Sequence, residues 1–193
     1  GDRRASPVAC LQRVLADLSD EDRELVQHSL FLGVERQELS AGAALAELQS
    51  RERSSKQPER AFLVRNLIGV DPRNGAVAVA DRVRAGQNVQ FQLREAQASR
   101  QEARQLLANS RERNPASDPL MGILFACLGR GSGLFGGPDG DISIARDVFP
   151  ELPVTGSFCN GELGPLGGAT HLHGYTACWG LLRRDPPESD SQS

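Results

Sequence analysis

Several features are scarce or missing in this 193-residue chain, and each absence excludes a class of protein. The four cysteines form no Cys-x-x-Cys pair, which argues against a disulfide framework. No apolar run approaches the about 18 residues that span a bilayer, and the first residues lack the apolar region of a secretory signal. We therefore expect a cytoplasmic protein with reduced thiols. Because the chain begins with Gly1 instead of Met, we also expect a processed protein or a fragment.

An excess of charge of either sign is also absent. The chain has 22 basic and 25 acidic residues, which leave a formal net charge of −3. Such a small net charge predicts no general attraction to nucleic acid or to anionic membranes. Apolar residues make up 39% of the chain, and a chain of this length can bury a sizeable core.

Helix and strand signals alternate along the chain. Ser6-Pro7 and Ser19 are typical starts of helices, and the Asp71–Gly75 segment is typical of a tight turn between strands. Arg65 interrupts an apolar run, so it must be paired, face a cavity or lie at an exposed edge. These patterns predict an α+β fold with a mostly antiparallel β-sheet, flanked by helices and with glycine-rich loops at strand ends.

We predict three segments in the chain. Residues 1–60 hold the N-terminal helices, a short strand and a polar linker, residues 61–183 form the α+β core, and residues 184–193 form a disordered tail. Within the core, the apolar runs 121–128 and 154–158 predict strands buried on both faces. Each run leads into a glycine-rich loop. We expect the two loops to converge into one recess edged by amide nitrogens and opposite charges.

The first loop contains a thiol, an arginine and a glycine motif. Arg130 could favour the thiolate of Cys127, although an inert buried thiol is the commoner case. A cysteine nucleophile would also need a histidine base. Gly131 and Gly133 fit a Gly-x-Gly-x-x-Gly pattern. Because no acidic residue ends the next strand, we expect a structural or small-ligand loop instead of a dinucleotide site.

The second loop and the segment that follows it carry further polar groups. Asn160, Gly161 and Glu162 could receive an amino or guanidinium group, or could simply form a turn. His171 and His173 share a face if the segment is extended, which is the geometry of a two-ligand metal corner. Since no third ligand has a recognisable spacing, we favour histidines that bind loop backbone or line a pocket.

Four segments of the chain resemble the C-terminal half of the FIST sensory domain, named for F-box and intracellular signal-transduction proteins. The resemblance implies a ligand-sensing or interaction domain, in bacteria for small molecules such as amino acids and in eukaryotes within F-box subunits of ubiquitin ligases. It implies no catalytic activity and no obligatory cofactor. The four segments are FLVRNLIGVDPRNGAVAVADRV (62–83), AGQNVQFQLREA (85–96), GILFACLGRGSGLFG (122–136) and PVTGSFCNGELGPLGGATHLHGYTA (153–177).

The sequence and the resemblance together predict a bacterial, non-enzymatic domain that senses a small ligand such as an amino acid, with no metal and no cofactor. The N-terminal FIST half is the expected partner if the chain is a fragment, and neither nucleic acid nor membrane is expected. A protein-interaction module and a cysteine-dependent enzyme or electrophile sensor that uses Cys127 stay open as alternatives. The predicted ligand-binding residues are Cys127, Arg130, Gly131, Gly133, Asn160, Gly161, Glu162, His171 and His173.

Overall fold

A computed structural model describes residues 5–35, 62–166 and 169–184 of the chain. Five helices and nine strands form within these residues, which confirms the predicted α+β class. The described residues separate into two compact units. The first unit contains residues 5–95 and 163–174, and the second contains residues 96–162 and 175–184.

The helices and strands are numbered in chain order. The helices are α1 (Pro7–Ala16), α2 (Asp20–Ser29), α3 (Ala96–Glu112), α4 (Gly131–Phe135) and α5 (Gly140–Val148). The strands are β1 (Leu30–Glu35), β2 (Phe62–Asp71), β3 (Ala76–Val79), β4 (Val89–Leu93), β5 (Met121–Cys127), β6 (Val154–Cys159), β7 (Glu162–Leu166), β8 (Ala169–His173) and β9 (Ala177–Leu182).

Two serine caps begin the helices of the first unit, as the sequence predicts. The Ser6 hydroxyl accepts a hydrogen bond from the Ala9 N–H at 3.2 Å, and the Ser19 hydroxyl accepts one from the Asp22 N–H at 3.1 Å. Each bond satisfies an N–H that has no partner within its helix, which fixes where the helix starts.

The main sheet of the first unit is antiparallel, with strand order β3-β2-β1-β4. The predicted turn between β2 and β3 is confirmed. Asp71 accepts a hydrogen bond from the Arg73 N–H at 2.9 Å, and Gly75 adopts a φ of 67°, which glycine tolerates best. Strand β1 pairs with both β2 and β4, so the segment before residue 36 shares a sheet with residues from the predicted core.

Arg65 on β2 is paired, which was one of its predicted alternatives. Its Nε donates to Asp81 at 2.8 Å, and its two Nη atoms donate to the carbonyl oxygens of Val64 and Leu172. From Leu163 onward, β7 belongs to the first unit and forms a two-stranded sheet with β8, where the sequence indicated a glycine-rich stretch. The polar linker predicted within residues 40–60 lies outside the described residues, as does the predicted tail apart from Arg184.

The second unit is a three-stranded sheet with helices on one face. Its strand order is β6-β5-β9, in which β5 pairs with β6 in parallel and with β9 in antiparallel orientation. Helices α3 and α5 pack together and supply most of the core beside the sheet. The buried core residues are Leu107, Ile144, Ala145, Val148, Phe149 and Leu152.

The prediction that β5 and β6 are buried on both faces is wrong. Leu124 and Ala126 of β5 are buried under the helices, whereas Phe125 between them is 45% exposed. Strand β6 is an edge strand, and its Phe158 is 58% exposed. The apolar runs resemble those of a sheet covered on both sides, but within the second unit the helices cover one face alone.

Candidate functional site

Parallel pairing of β5 and β6 brings the two predicted loops together. Cys127 at the end of β5 lies opposite Cys159 at the end of β6, and the Leu128 N–H donates to the Cys159 carbonyl oxygen at 3.0 Å. Parallel strands leave a sheet at the same edge, so the segments that follow them begin side by side. The segments that follow Leu128 and Cys159 therefore begin side by side, as expected. The recess edged by opposite charges that we expected between them stays a prediction.

The side chain of Arg130 is buried and held by Asp141. Its Nε donates to one carboxylate oxygen at 2.9 Å, and its Nη2 donates to the other at 2.6 Å. Each side chain is only 7% exposed. The guanidinium also lies 5.3 Å from the centre of the Phe135 ring. This two-pronged ion pair joins the loop after β5 to the first turn of α5 and is of the strong, geometrically specific kind.

A pocket of about 380 Å³ lies along β6 and the start of α5. One part of its lining is apolar and another part carries hydroxyls and carboxylates. The volume and this mixture are typical of sites for small organic molecules. The apolar lining residues are Leu124, Ala126, Ile142, Val154 and Phe158, and the polar ones are Ser132, Asp139, Asp141, Thr155 and Ser157.

The charge of this pocket is negative. Asp141 is neutralised by Arg130, whereas Asp139 forms no ion pair with any described residue. No lysine or arginine is among the residues that line the pocket. Asp139 is exposed and adopts a φ of 58°, which places it at the turn into α5. The lining therefore favours a ligand with a positively charged group.

Glu162 is a buried carboxylate at the start of β7. Its side chain is 1% exposed, and neither carboxylate oxygen accepts a hydrogen bond of normal geometry from a described residue. Burial raises the pKa of Glu162, while the nearby Thr176 N–H and the charge of Arg130 act in the opposite direction. The pKa of Cys178 is also raised, by burial and by the negative charge of Glu162.

Seven of the nine predicted ligand-binding residues lie in the second unit. Gly131 lines the pocket, and Arg130 acts on it through Asp141. Cys127 and Gly161 are half-buried, while Gly133 and Asn160 are exposed. Glu162 does not line the pocket. Ligand binding by each of these residues stays a prediction.

The two histidines lie on β8 in the first unit, in an extended conformation, which is the condition under which we expected them to share a face. Their rings meet edge to face with centres 6.4 Å apart. His173 donates from Nε2 to the Gly164 carbonyl oxygen at 3.0 Å, which is the backbone contact that the sequence favoured. Across the described ranges, no three His, Cys, Asp or Glu side chains form a group suited to a metal ion.

The sequence reasoning missed most of the polar residues around the pocket. Asp141 pairs with Arg130 across 11 positions, a contact that no local pattern specifies. A signal was nevertheless present in Asp139-Gly140-Asp141. Acidic residues beside a glycine are typical of the turn into a helix, where the exposed N–H groups favour negative charge.

Comparison with known proteins identifies the family. The FIST C domain pattern matches residues 7–165. An uncharacterized protein of Mycobacterium tuberculosis is 33% identical over 176 residues, which are 91% of this chain and 42% of the relative. An uncharacterized protein of Mycobacterium bovis is 31% identical over 179 residues, which are 93% of this chain and 42% of the relative.

The chain thus spans about two-fifths of the length of the curated relatives that it matches. In the part of the chain that the structure describes, every helix is too short or too polar to cross a membrane. Both the family match and the four quoted segments run through the pocket and the two loops beside it. The chain belongs to the FIST C domain family, whose members are sensory domains of signal-transduction proteins.

Proposed function

We propose that the second unit binds a small organic ligand and that the protein uses this binding as a sensor, without chemical conversion of the ligand. The pocket of about 380 Å³ carries the proposal, because it combines an apolar wall with a polar, negatively charged rim. The described residues that line it offer hydroxyls and carboxylates but neither a thiol nor an imidazole. This lining supports binding more than nucleophilic catalysis.

An amino acid is the ligand class that these groups suit best. Asp139 can receive an ammonium group, since it is exposed and forms no ion pair with a described residue. The Ser132 and Ser157 side chains line the same pocket and can donate to a carboxylate. The apolar wall formed by Val154 and Phe158 suits an aliphatic side chain.

Nuclear magnetic resonance of the chain tests this proposal. We expect at least one member of a panel of amino acids to shift the backbone amide signals of Gly131, Gly140 and Gly156, which line the pocket. Ser132→Trp should fill the pocket and abolish these shifts. Gln101→Trp, at an exposed position of α3, should leave them intact. The proposal is wrong if no amino acid shifts these signals, or if the shifts persist in Ser132→Trp.

The open face of the second unit supports a second proposal. Phe125 on β5 and Leu182 on β9 are 45% and 47% exposed on the side away from the helices. An apolar face of this kind is typical of an interaction surface. The chain covers 42% of its relatives' length, so we propose that the N-terminal half of the FIST domain covers this face.

Binding of a separately produced N-terminal half to this chain tests the second proposal. Phe125→Ser and Leu182→Ser should weaken the complex at least tenfold, since each removes apolar area from the contact. Leu106→Ser is the control, because Leu106 is 57% exposed on helix α3. Equal affinity of the three variants for the N-terminal half would contradict the proposal.

A further inference from the structure

We propose that the pocket of the second unit receives an extended peptide, which pairs with the open edge of strand β6 as an added strand and places a basic residue beside Asp139. This inference rests on the proposed ligand binding and extends the ligand class from a single amino acid to a peptide segment. The main chain of the peptide supplies the hydrogen bonds, and its side chains supply the specificity.

The outer edge of β6 pairs with no other described strand. The strand order β6-β5-β9 leaves β6 paired with β5 alone. The Gly122 N–H donates to the Pro153 carbonyl oxygen at 2.9 Å, and the Leu128 N–H donates to the Cys159 carbonyl oxygen at 3.0 Å. The odd-numbered positions from residue 153 to residue 159 therefore direct their main-chain groups toward β5.

The even-numbered residues of β6 direct their main-chain groups away from β5. Successive residues of a strand present their N–H and C=O groups to opposite sides of the strand. Val154, Gly156 and Phe158 therefore each present one N–H and one C=O at the outer edge. Such a row of donors and acceptors is the template to which an added strand binds.

The pocket follows this edge. All five residues from Val154 to Phe158 line it. A pocket over one face of a sheet would be lined by every second residue, because successive side chains alternate between the two faces. Contact with five consecutive residues instead indicates a pocket that lies along the edge of the strand. The rest of the lining includes the turn into α5, residues 138–142.

The length of this edge favours a peptide over a single amino acid. Val154 and Phe158 are four residues apart, and a strand rises about 3.3 Å per residue, so the edge is about 13 Å long. A free amino acid matches one step of this length and leaves most of the edge groups without a partner. A peptide of about five residues spans the whole edge.

The charge of the lining favours a basic peptide. Asp139 is exposed and forms no ion pair with a described residue, and none of the described residues that line the pocket is a lysine or an arginine. Because Asp139 lines the same pocket as the open edge, a lysine or arginine of the bound peptide finds its counter-charge there. Apolar residues beside it suit the wall formed by Val154 and Phe158.

Amide hydrogen exchange of the full chain, followed by nuclear magnetic resonance, tests the pairing. The probe is the pentapeptide acetyl-Val-Lys-Val-Lys-Val-amide. It should slow the exchange of the Val154, Gly156 and Phe158 amides at least tenfold. The Thr155 and Ser157 amides, which already donate to β5, should change much less. The inference is wrong if the peptide protects none of the first three amides, or protects all five equally.

Two altered peptides separate main-chain pairing from charge. The same pentapeptide with every backbone nitrogen methylated has no N–H to donate and should bind at least tenfold more weakly. The peptide acetyl-Val-Glu-Val-Glu-Val-amide keeps its donors but reverses the charge, and it should also bind at least tenfold more weakly. Equal affinity of the parent and methylated peptides would contradict strand pairing. Equal affinity of the lysine and glutamate peptides would contradict the basic specificity.

A variant of the protein tests the role of Asp139. Asp139→Asn keeps a side chain that tolerates the positive φ of this position and removes the charge. This variant should lose most of its preference for the lysine peptide over the glutamate peptide. Asp147→Asn is the matched control, because Asp147 is also on α5 but pairs with Arg104 at the surface. An unchanged preference in Asp139→Asn would overturn the assignment of the basic residue to Asp139.

Further outcomes show which proposal fails. If amino acids shift the pocket amides but the pentapeptide protects no amide of the edge, peptide pairing is wrong and the proposed ligand binding stands. If neither an amino acid nor the pentapeptide binds, both proposals are wrong. If the chain without peptide sediments as a dimer whose Val154, Gly156 and Phe158 amides are already protected, the edge of β6 pairs with a second copy, which also overturns the inference.

Discussion

The two units of this chain treat buried charge in different ways. In the first unit, Arg65 donates to Asp81 and to two carbonyl oxygens, and the buried Glu35 accepts a hydrogen bond from Asn88. In the second unit, Asp141 is paired as well, but Glu162 is buried with both oxygens unsatisfied by any described residue. Satisfied polar groups are the rule in protein interiors. Among the buried carboxylates of the described residues, Glu162 is therefore the exception.

The sheets of the two units also differ in how their strands pair. The first unit's main sheet is antiparallel throughout, whereas the second unit pairs β5 and β6 in parallel, which places two loops at one edge. Loops at the ends of parallel strands are common positions for ligand sites. The parallel pair therefore supports the proposal that the second unit holds the ligand site.

Replacement of the ion-paired arginine of each unit, Arg65 or Arg130, should have the largest effect and tests the contrast between the two units. Arg130→Met leaves two buried carboxylates without a counter-charge and should reduce the free energy of unfolding by about 3–5 kcal/mol. Arg65→Met should cost less, about 2 kcal/mol, since Arg65 and Asp81 are 17% and 16% exposed, against 7% for each member of the Arg130 pair. Denaturant unfolding at neutral pH measures both. Equal losses would contradict the contrast between the units.

Glycine substitutions compare the packing of the two sheets. A Cβ at Gly156 on β6 would lie 1.8 Å from the Leu124 carbonyl oxygen, so Gly156→Ala must separate β5 from β6 and should cost about 3 kcal/mol. A Cβ at Gly33 on β1 would meet the end of the Gln92 side chain, which can move. Gly33→Ala should therefore cost less than about 1 kcal/mol. If thermal unfolding shows a larger loss of stability for Gly33→Ala than for Gly156→Ala, this interpretation of the packing is wrong.

Neutralising Glu162 sharpens the comparison further. Because burial raises the folded-state pKa of Glu162, ionisation of this group removes stability as the pH rises through that value. Glu162→Gln should therefore be more stable than wild type at pH 7, by about 1 kcal/mol. The difference should disappear below the ordinary glutamate pKa of about 4.3.

Exposed Glu102 supplies the control for this variant. Glu102→Gln should change the unfolding free energy by less than about 0.5 kcal/mol at any pH. A Glu162→Gln variant that is less stable than wild type at pH 7 would show that the carboxylate already has a partner.

Thiol labelling gives the smallest expected effect. Burial and the charge of Glu162 raise the pKa of Cys178, so its labelling should need a higher pH than that of the exposed Cys10. In Glu162→Gln the labelling profile of Cys178 should move partway toward that of Cys10. An unchanged profile in that variant would mean that Glu162 does not act on the thiol.

The same experiment decides the cysteine-dependent alternative. The half-buried Cys127 is the thiol for which we considered a reactive role. A reactive thiol would label well below the unperturbed pKa of about 8.5. If Cys127 labels only near that value, the alternative loses its basis.

Local signals made much of the fold predictable. The caps at Ser6 and Ser19 and the turn at Gly75 depend on residues close in sequence, and all three are confirmed. The strands β5 and β6, which lead into the glycine-rich loops, were also predicted. The exposure of their side chains was not predicted, because an apolar run such as that of β5 does not indicate whether helices cover one face of the sheet or both. Strand β7 was missed, since Gly164 and Pro165 are poor strand formers.

The candidate site was harder to predict than the fold. The sequence indicated Arg130 and Glu162 as charged groups near one recess, but it treated both as direct ligand contacts. The pairing of Arg130 with Asp141 and the pocket along β6 depend on how α5 packs against the sheet. Such tertiary contacts leave no periodic pattern in the sequence. The acids beside Gly140 were the nearest local signal for them.

The pKa of Glu162 in the wild-type chain, measured without any ligand, tests the central claim most directly. Burial should raise the pKa of Glu162 above the ordinary glutamate value of about 4.3, in spite of the opposing effects of the Thr176 N–H and the Arg130 charge. A measured pKa at or below that value would mean that a hydrogen bond or a counter-charge already compensates the burial of Glu162, which would contradict the contrast between the two units.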